Sequence, residues 1–464
     1  SRSRSRSNRS AATKKNSTVK RPPQTGRSSA AGKSGGTGKS AGKGRNTANG
    51  GKSTGRTREV SSDGTPQPRN KKGRIPEMDQ PFLITLLIIV GFGLVMVFSA
   101  SMYTSVNSGD SGYSSFFKQS LFALLGICVM WFISRINYKV FNDFKLMKTA
   151  MWIVAGLLAL VLIPGIGIKV NDARRWLGYG SLTFQPSELA KIVGIMYLAS
   201  LAATQPEKLE NWKDLILYVF LPMAVICGLT ALEPSLSAAM AIGVGMMAVL
   251  WFGMLKNKFI VPVIGAAAAG VAALVLTSSW RMERLLAMLS KSNVNYQIRQ
   301  SLVAFGSGGL FGVGLGNGKQ KLLFLPEVSN DFIFANFGEV LGLVGCLFVL
   351  GLYCYLIYRG YKIAFACKNK FGRLYTASVM TLLGFQVFVN IGVAINALPV
   401  TGMALPFISA GGTSIVVLFA MMGPIMNISR QVRIPGRSRK RIRLMTVGQK
   451  KQRRRKRQPA RGEQ

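Results

Sequence analysis

Apolar residues are bunched along this chain. Nearly every position from Phe82 to Tyr103 is apolar, and similar stretches recur as far as residue 428. A helix needs about 20 such residues to cross the hydrocarbon core of a bilayer. The pattern predicts ten spans, at 82–103, 116–134, 149–167, 187–203, 214–232, 236–253, 258–277, 332–357, 374–395 and 412–428. The fold class is therefore all-α: a polytopic membrane protein with about ten transmembrane helices.

The two ends follow another pattern. They are rich in Ser, Gly, Thr, Arg and Lys and almost lack large apolar side chains. Such segments cannot bury enough surface to fold. The expected organisation is a disordered basic tail at 1–79, a membrane domain at 80–430 with a long loop at 278–330, and a second disordered basic tail at 431–464.

Charge sharpens this picture. The net charge of +42 suggests a nucleic-acid binder until it is divided along the chain. Residues 1–79 hold 20 Lys/Arg against 4 acids, and residues 430–464 hold 15 against 1. Neither tail has a Phe, Trp or Tyr to stack on bases, so no nucleic acid is expected as a partner. Basic tails instead favour the cytoplasmic side and anionic lipid heads. Lys and Arg between the spans agree: Arg135, Lys139, Lys145 and Lys148, then Lys208 and Lys213, then Lys256 and Lys258, then Arg359 to Arg373. An even number of spans returns both termini to the cytoplasm.

No cleavable signal peptide is visible before the first span, which is expected to act as an uncleaved anchor. The chain has five cysteines and no histidine, and no cysteine pair has metal-ligand spacing. Free thiols are expected, with no metal held by side chains.

Two segments predicted to lie outside, Lys169–Gln185 and Ser278–Asn330, carry basic residues where few belong. They include Lys169, Arg174, Arg175, Arg281, Arg284, Lys291, Arg299, Lys319 and Lys321. Misplaced basic residues call for an anionic partner. Arg174 and Arg175 beside Trp176 suit a phosphate at the interface, because guanidinium binds phosphate oxygens bidentately. They equally suit simple interfacial anchoring.

Four segments carry candidate chemistry. In Phe184–Lys191, Pro186 and Ser187 read as a helix start with Ser187 a candidate cap. Glu188 and Lys191 share a helix face three residues apart and can pair, either as a structural lock or within a site. Ser301–Gly318 is glycine-rich, which lets backbone approach a ligand closely. Gly318-Lys319 is followed by Gln320, so the nucleotide-phosphate signature is missing and ATP is excluded. In Leu325–Phe334, Asp331 stands where the long loop meets a span, as a cap or as a chemical group. Glu339 lies roughly 12 Å deeper on a regular helix. An ionisable residue at that depth is a functional candidate by default. The separation argues against a close, glycosidase-like carboxylate pair with Asp331. Last, Leu398–Ser414, with Ser409 near its centre, has two prolines and three glycines after Asn390-Ile-Gly392. Irregular backbone at membrane depth is tolerated only where protein buries it or it lines a cavity.

Arg174-Arg-Trp176, Phe184–Lys191, Leu325–Phe334 and Leu405–Ser414, in this order across residues 82–430, resemble the SEDS family (shape, elongation, division and sporulation). The resemblance implies polymerisation of lipid II into glycan strands, with a class B penicillin-binding protein transpeptidase and other division proteins as partners. It implies that Asp331 activates the acceptor hydroxyl. Arg174, Arg175, Trp176, Glu188, Lys191, Lys319, Glu339 and Ser409 are the candidate substrate-binding residues. Gly338-Glu339 is similar to the division and sporulation branches. Glu233-Pro-Ser-Leu-Ser237 departs from the family's frequent Pro-Asp-Leu-Gly, so Ser235 cannot serve there as an acid or metal ligand.

The expected activity is a membrane glycosyltransferase at the outer face of a bacterial cytoplasmic membrane. Its cation requirement is open, with Mg or Mn the candidates. Two rivals are a transporter that flips the same lipid, which also needs buried charges and broken helices, and a non-catalytic scaffold for a transpeptidase.

Overall fold

The computed structural model describes residues 78–432, except 108–112, 171–172, 180–181, 234, 254–256, 277–278, 280–281, 285, 287–294, 321–324 and 327. Nearly all of both predicted tails, with Asp172, Arg281, Lys291, Lys321 and Glu327, lies outside the described residues.

Among the described residues the main elements are eleven helices and a small sheet. They are α1 (Gln80–Asn107), α2 (Ser114–Ile133) and α3 (Phe144–Leu162), then β1 (Ile168–Val170), β2 (Ala173–Tyr179) and β3 (Leu182–Phe184). Next come α4 (Pro186–Thr204), α5 (Trp212–Leu232), α6 (Leu236–Phe252), α7 (Asn257–Leu276) and α8 (Tyr296–Gly308). The last three are α9 (Ile333–Ala366), α10 (Lys370–Ala394) and α11 (Gly412–Gln431). Eight helices are long and apolar enough to cross a membrane: α1 to α5 and α9 to α11. The other two predicted spans coincide with α6, which is apolar but has 17 residues, and with α7. The protein is mostly helical and multi-pass, as the apolar pattern predicts.

Three differences have physical causes. The segment after α3 is an antiparallel three-stranded sheet, not a plain loop; Leu177 faces Phe184 and Lys169 faces Arg174. Its strands are too short for the hydropathy pattern to reveal. Helix α3 starts five residues before its predicted start because Asp143 caps it, accepting from the Lys145 amide at 2.9 Å. At α4 the N-cap position falls on Gln185, whose side chain makes no capping bond, and Pro186 opens the first turn, so Ser187 is inside the helix rather than its cap.

The most enclosed helices are α4, α10 and α11. Helix α10 packs against α4, α6 and α9, while α11 packs against α2. Exposed apolar side chains such as Phe117 and Leu121 on α2 and Leu347 on α9 cover the outside, as helices surrounded by lipid require. At the end of the bundle opposite the sheet, buried Asp79 joins three helices. It accepts from the Phe82 amide, pairs with Arg359 at 2.5 Å, and donates its own amide to Ser429 Oγ.

Helix α9 is broken at Gly342 (φ 66°, ψ −167°), and the chain after α8 lies against the break. The Val313 and Gly314 amides donate to the Glu339 and Val340 carbonyls at 2.9 and 3.1 Å. The Leu343 and Val344 amides donate to the Gly309 and Leu310 carbonyls at 3.0 and 3.1 Å. A Cβ at Gly308 or Gly312 would stand 1.9 or 2.2 Å from a carbonyl oxygen of α9. The glycines of this segment therefore allow approach to another backbone.

Gly342→Ala tests that join. Its left-handed φ costs a non-glycine residue about 1–3 kcal/mol, and its Cβ would also meet Gly312 N at 2.4 Å. A clear fall in the detergent-solubilised melting temperature is expected; an unchanged melting curve would contradict the packing described.

Candidate active site

The helical part of α9 begins at Ile333 with Phe332 as its N-cap, so Asp331 stands just before the helix and does not cap it. The connection between α10 and α11 folds back onto this turn. It contains Pro399 and Pro406, and both Gly402 and Phe407 take positive φ. Asn390 holds the two segments together. It is buried in α10, and its Nδ2 donates to the carbonyls of Asp331 and Met403, each at 2.8 Å.

Ser409 adds a second join. Its Oγ donates to the Asn330 carbonyl at 2.6 Å and accepts from the Leu405 amide at 2.8 Å. The Ala410 amide donates to the Ser329 carbonyl at 2.9 Å. Gln119 of α2 bridges the same loop, donating to the Ser409 carbonyl and accepting from the Gly411 amide. A Cβ at Gly402 would lie 3.3 Å from Asp331 Oδ2, so the carboxylate rests over a glycine.

Charged side chains from three other elements complete the group. Arg175 reaches in from β2, and its Nε donates to the main-chain oxygen of Glu233 at 3.1 Å. Glu233 forms the turn between α5 and α6. It is fully buried, and neither carboxylate oxygen has a hydrogen-bond partner. Burial pushes its carboxyl up to about 8, with Arg175 opposing the rise. Arg284 donates from Nη1 to the Val400 carbonyl at 2.9 Å. Burial lowers the pKa of both arginines. Glu233 and then Asp331 oppose this at Arg175. At Arg284, Asp331 opposes it and Arg175 adds to it. Two half-buried guanidiniums thus share the field of one carboxylate, beside Glu233, whose carboxyl is pushed up by burial. Such a group favours an arriving anion.

The remaining candidates fall into other places. Arg174 and Trp176 are half-buried on β2. Glu188 and Lys191 pair at 2.7 Å across the first turn of α4, with Lys191 buried. Glu339 is buried, and its carboxylate accepts from the Lys319 and Gln320 amides at 2.6 and 3.2 Å. It therefore closes the glycine-rich segment onto α9, and the Lys319 side chain is exposed. Sequence reasoning left Glu233 out of the site, although an acid at the end of an apolar span was the available signal. It also gave no role to Gln119, whose part depends on a distant loop.

Among the described residues no three Cys, Asp or Glu groups come together to hold a metal ion. The arginines, not further carboxylates, surround Asp331.

The family model described as "Cell cycle protein" matches residues 79–434. The chain belongs to the FtsW/RodA/SpoVE family. A probable peptidoglycan glycosyltransferase FtsW of Geobacter metallireducens is 35% identical over 374 residues, covering 78% of this chain and 98% of the relative. Stage V sporulation protein E of Bacillus subtilis is 34% identical, covering 76% and 96%. Among solved structures, a chain of a peptidoglycan synthase complex that coordinates polymerization and crosslinking aligns with a TM-score of 0.62 and 27% identity. That alignment covers 76% of this chain and 98% of the other. The rod shape determining protein RodA of Thermus thermophilus aligns at 0.57 and 28%, covering 76% and 97%. Membership in the FtsW/RodA/SpoVE family thus spans the described membrane region, which includes Arg175, Glu233, Asp331, Asn390 and Ser409.

The Glu188–Lys191 pair yields a stability prediction. Glu188→Gln leaves a buried ammonium without its partner, which should cost about 2–3 kcal/mol, below the ~3–5 of a dry pair because Glu188 keeps some water. The double variant Glu188→Gln/Lys191→Met should recover most of the loss in a detergent melting assay. Normal melting by Glu188→Gln together with lost activity would assign the pair to chemistry instead.

Proposed function

We propose that this protein is a peptidoglycan glycosyltransferase. It polymerises lipid II, a disaccharide peptide on a polyprenyl diphosphate, at the outer face of the bacterial cytoplasmic membrane, and it serves cell division. The names of its FtsW relatives support the activity and the process. The observation that carries the reading is a carboxylate, Asp331, in the field of two half-buried arginines, Arg175 and Arg284.

The chemistry follows from that arrangement. The acceptor sugar hydroxyl attacks the anomeric carbon of the donor. Asp331 takes the hydroxyl proton as general base. The bond between the anomeric carbon and phosphate oxygen breaks, and its electron pair leaves with the diphosphate. Arg175 and Arg284 meet the negative charge that grows on that diphosphate, the role expected of fixed cations in a dry site. Arg174 and Trp176 flank Arg175 on the same strand, where side chains alternate between faces, and Ser409 fixes the turn that carries Asp331. A divalent cation, Mg or Mn, would accompany the diphosphate and offset its charge; among the described residues no three Cys, Asp or Glu groups come together to hold one.

The crosslinking partner is a class B penicillin-binding protein transpeptidase. The solved complex that couples polymerization to crosslinking supports such an assembly. The basic segments between spans favour both termini in the cytoplasm and the 278–330 segment outside. A single cysteine at position 310 of a cysteine-free chain should react with an impermeant maleimide added to intact cells. Reaction at position 365 instead would invert the topology.

Asp331→Asn tests the chemistry. Asparagine keeps the size and the main-chain hydrogen bonds but cannot take a proton. Expression and partner binding should stay normal while glycan synthesis from lipid II falls by roughly 10²-fold or more. Glycan formation by purified wild-type protein in detergent separates an enzyme from a flippase. Full polymerisation by Asp331→Asn would remove that residue from the mechanism.

A further inference from the structure

We propose that Glu233 is a neutral positioning residue: it holds Arg175 through its main chain and keeps its own side chain uncharged, leaving the guanidinium's charge for the substrate diphosphate. The inference rests on the lipid-diphosphate reading above and concerns the same site.

The geometry of the Glu233–Arg175 contact leads to it. A guanidinium beside a carboxylate usually forms a forked pair with both oxygens. Here Arg175 donates from Nε to the Glu233 main-chain oxygen, and both carboxylate oxygens remain without a hydrogen bond. The side chain is fully buried. An ionised carboxylate in that position would lack water and hydrogen bonds alike, which apolar surroundings do not tolerate. A protonated acid carries no such penalty.

The neighbouring elements do not supply another counter-charge. Helix α6 has no ionisable residue, and the next acid position of the turn is Ser235. On α4, Lys191 is already paired with Glu188. On α3, the lysines lie in the opposite end of the helix, as do Lys213 and Asp214 on α5. Among the described residues, the charge acting on Glu233 is that of Arg175, beyond which lie Asp331 and Arg284.

The consequence is a division of labour. A neutral Glu233 fixes the position of Arg175 without neutralising it. Loss of the Glu233 proton would create a competitor for the same guanidinium. The carboxyl's shift up to about 8 places that loss in the mildly alkaline range. The sign follows from it. A raised acid keeps its proton below its folded pKa, so substrate binding is intact at neutral pH and weakens as pH rises through about 8.

The test uses the full-length protein in detergent, with two readouts between pH 6 and pH 9.5: binding of undecaprenyl diphosphate, and glycan synthesis from lipid II. Wild type and Glu233→Gln are compared, and glutamine mimics the protonated acid. Near pH 7 the variant should bind within about twofold of wild type and melt no lower. Near pH 9 wild-type binding should have fallen by about fivefold or more, with the variant largely unaffected. Three outcomes would overturn the proposal. One is a loss of about tenfold at neutral pH in Glu233→Gln, and another is a lower melting temperature there; either shows that the ionised form is required. The third is any profile without an alkaline fall confined to wild type, whether both proteins fall alike, neither falls or wild type does not bind at any pH. If wild type binds with this profile but makes no glycan, the glycosyltransferase reading fails while the role of Glu233 stands.

Discussion

The buried amide of Asn390 is the interaction on which the site depends. A membrane interior offers no water to stray backbone groups, so each break in a helix must be satisfied from within the protein. The turn before α9 and the fold-back loop before α11 are two such breaks. One side-chain nitrogen bonds a carbonyl from each, at Asp331 and Met403. Ser409 adds a bond from the loop to the turn, and Gln119 of α2 holds the loop itself. Asp331 is thereby fixed at its main chain, in the turn that precedes α9.

The same constraint explains the glycine-rich segment after α8. Its backbone bonds to α9 on both sides of Gly342, and the Glu339 carboxylate takes two more of its amides. A carboxylate at membrane depth here acts as a structural acceptor, and the break in α9 and the loop satisfy one another. These joins hold the start of α9 in place, and so support Asp331 indirectly.

Electrostatics then divides the acids of this region by environment. Glu188 is paired, Glu339 is saturated by amides, Glu233 is buried without partners, and Asp331 lies among arginines. Four carboxyl groups reach four different chemical states through local surroundings alone. Residue type and spacing do not distinguish them; the neighbours do.

Much of the fold was legible because bilayer thickness imposes a length on apolar runs, and all ten predicted spans coincide with helices. Asp331, Arg175 and Ser409 were legible through motifs, and the Glu188–Lys191 pair through helical spacing. The short sheet was hidden because two of its strands have three residues and the third only seven, too little for a periodicity to stand out. Glu233 was hidden because its role depends on Arg175, 58 residues away, and the part played by Asn390 depends on a carbonyl 59 residues away. Hydropathy and charge by themselves determined the membrane class and the helix pattern, since those follow from local composition, while four short motif segments carried the family resemblance. The tertiary structure decided which acid is ion-paired, which accepts backbone amides, which is buried without a hydrogen bond and which lies near arginines, because burial and hydrogen bonding are set by residues distant in the chain.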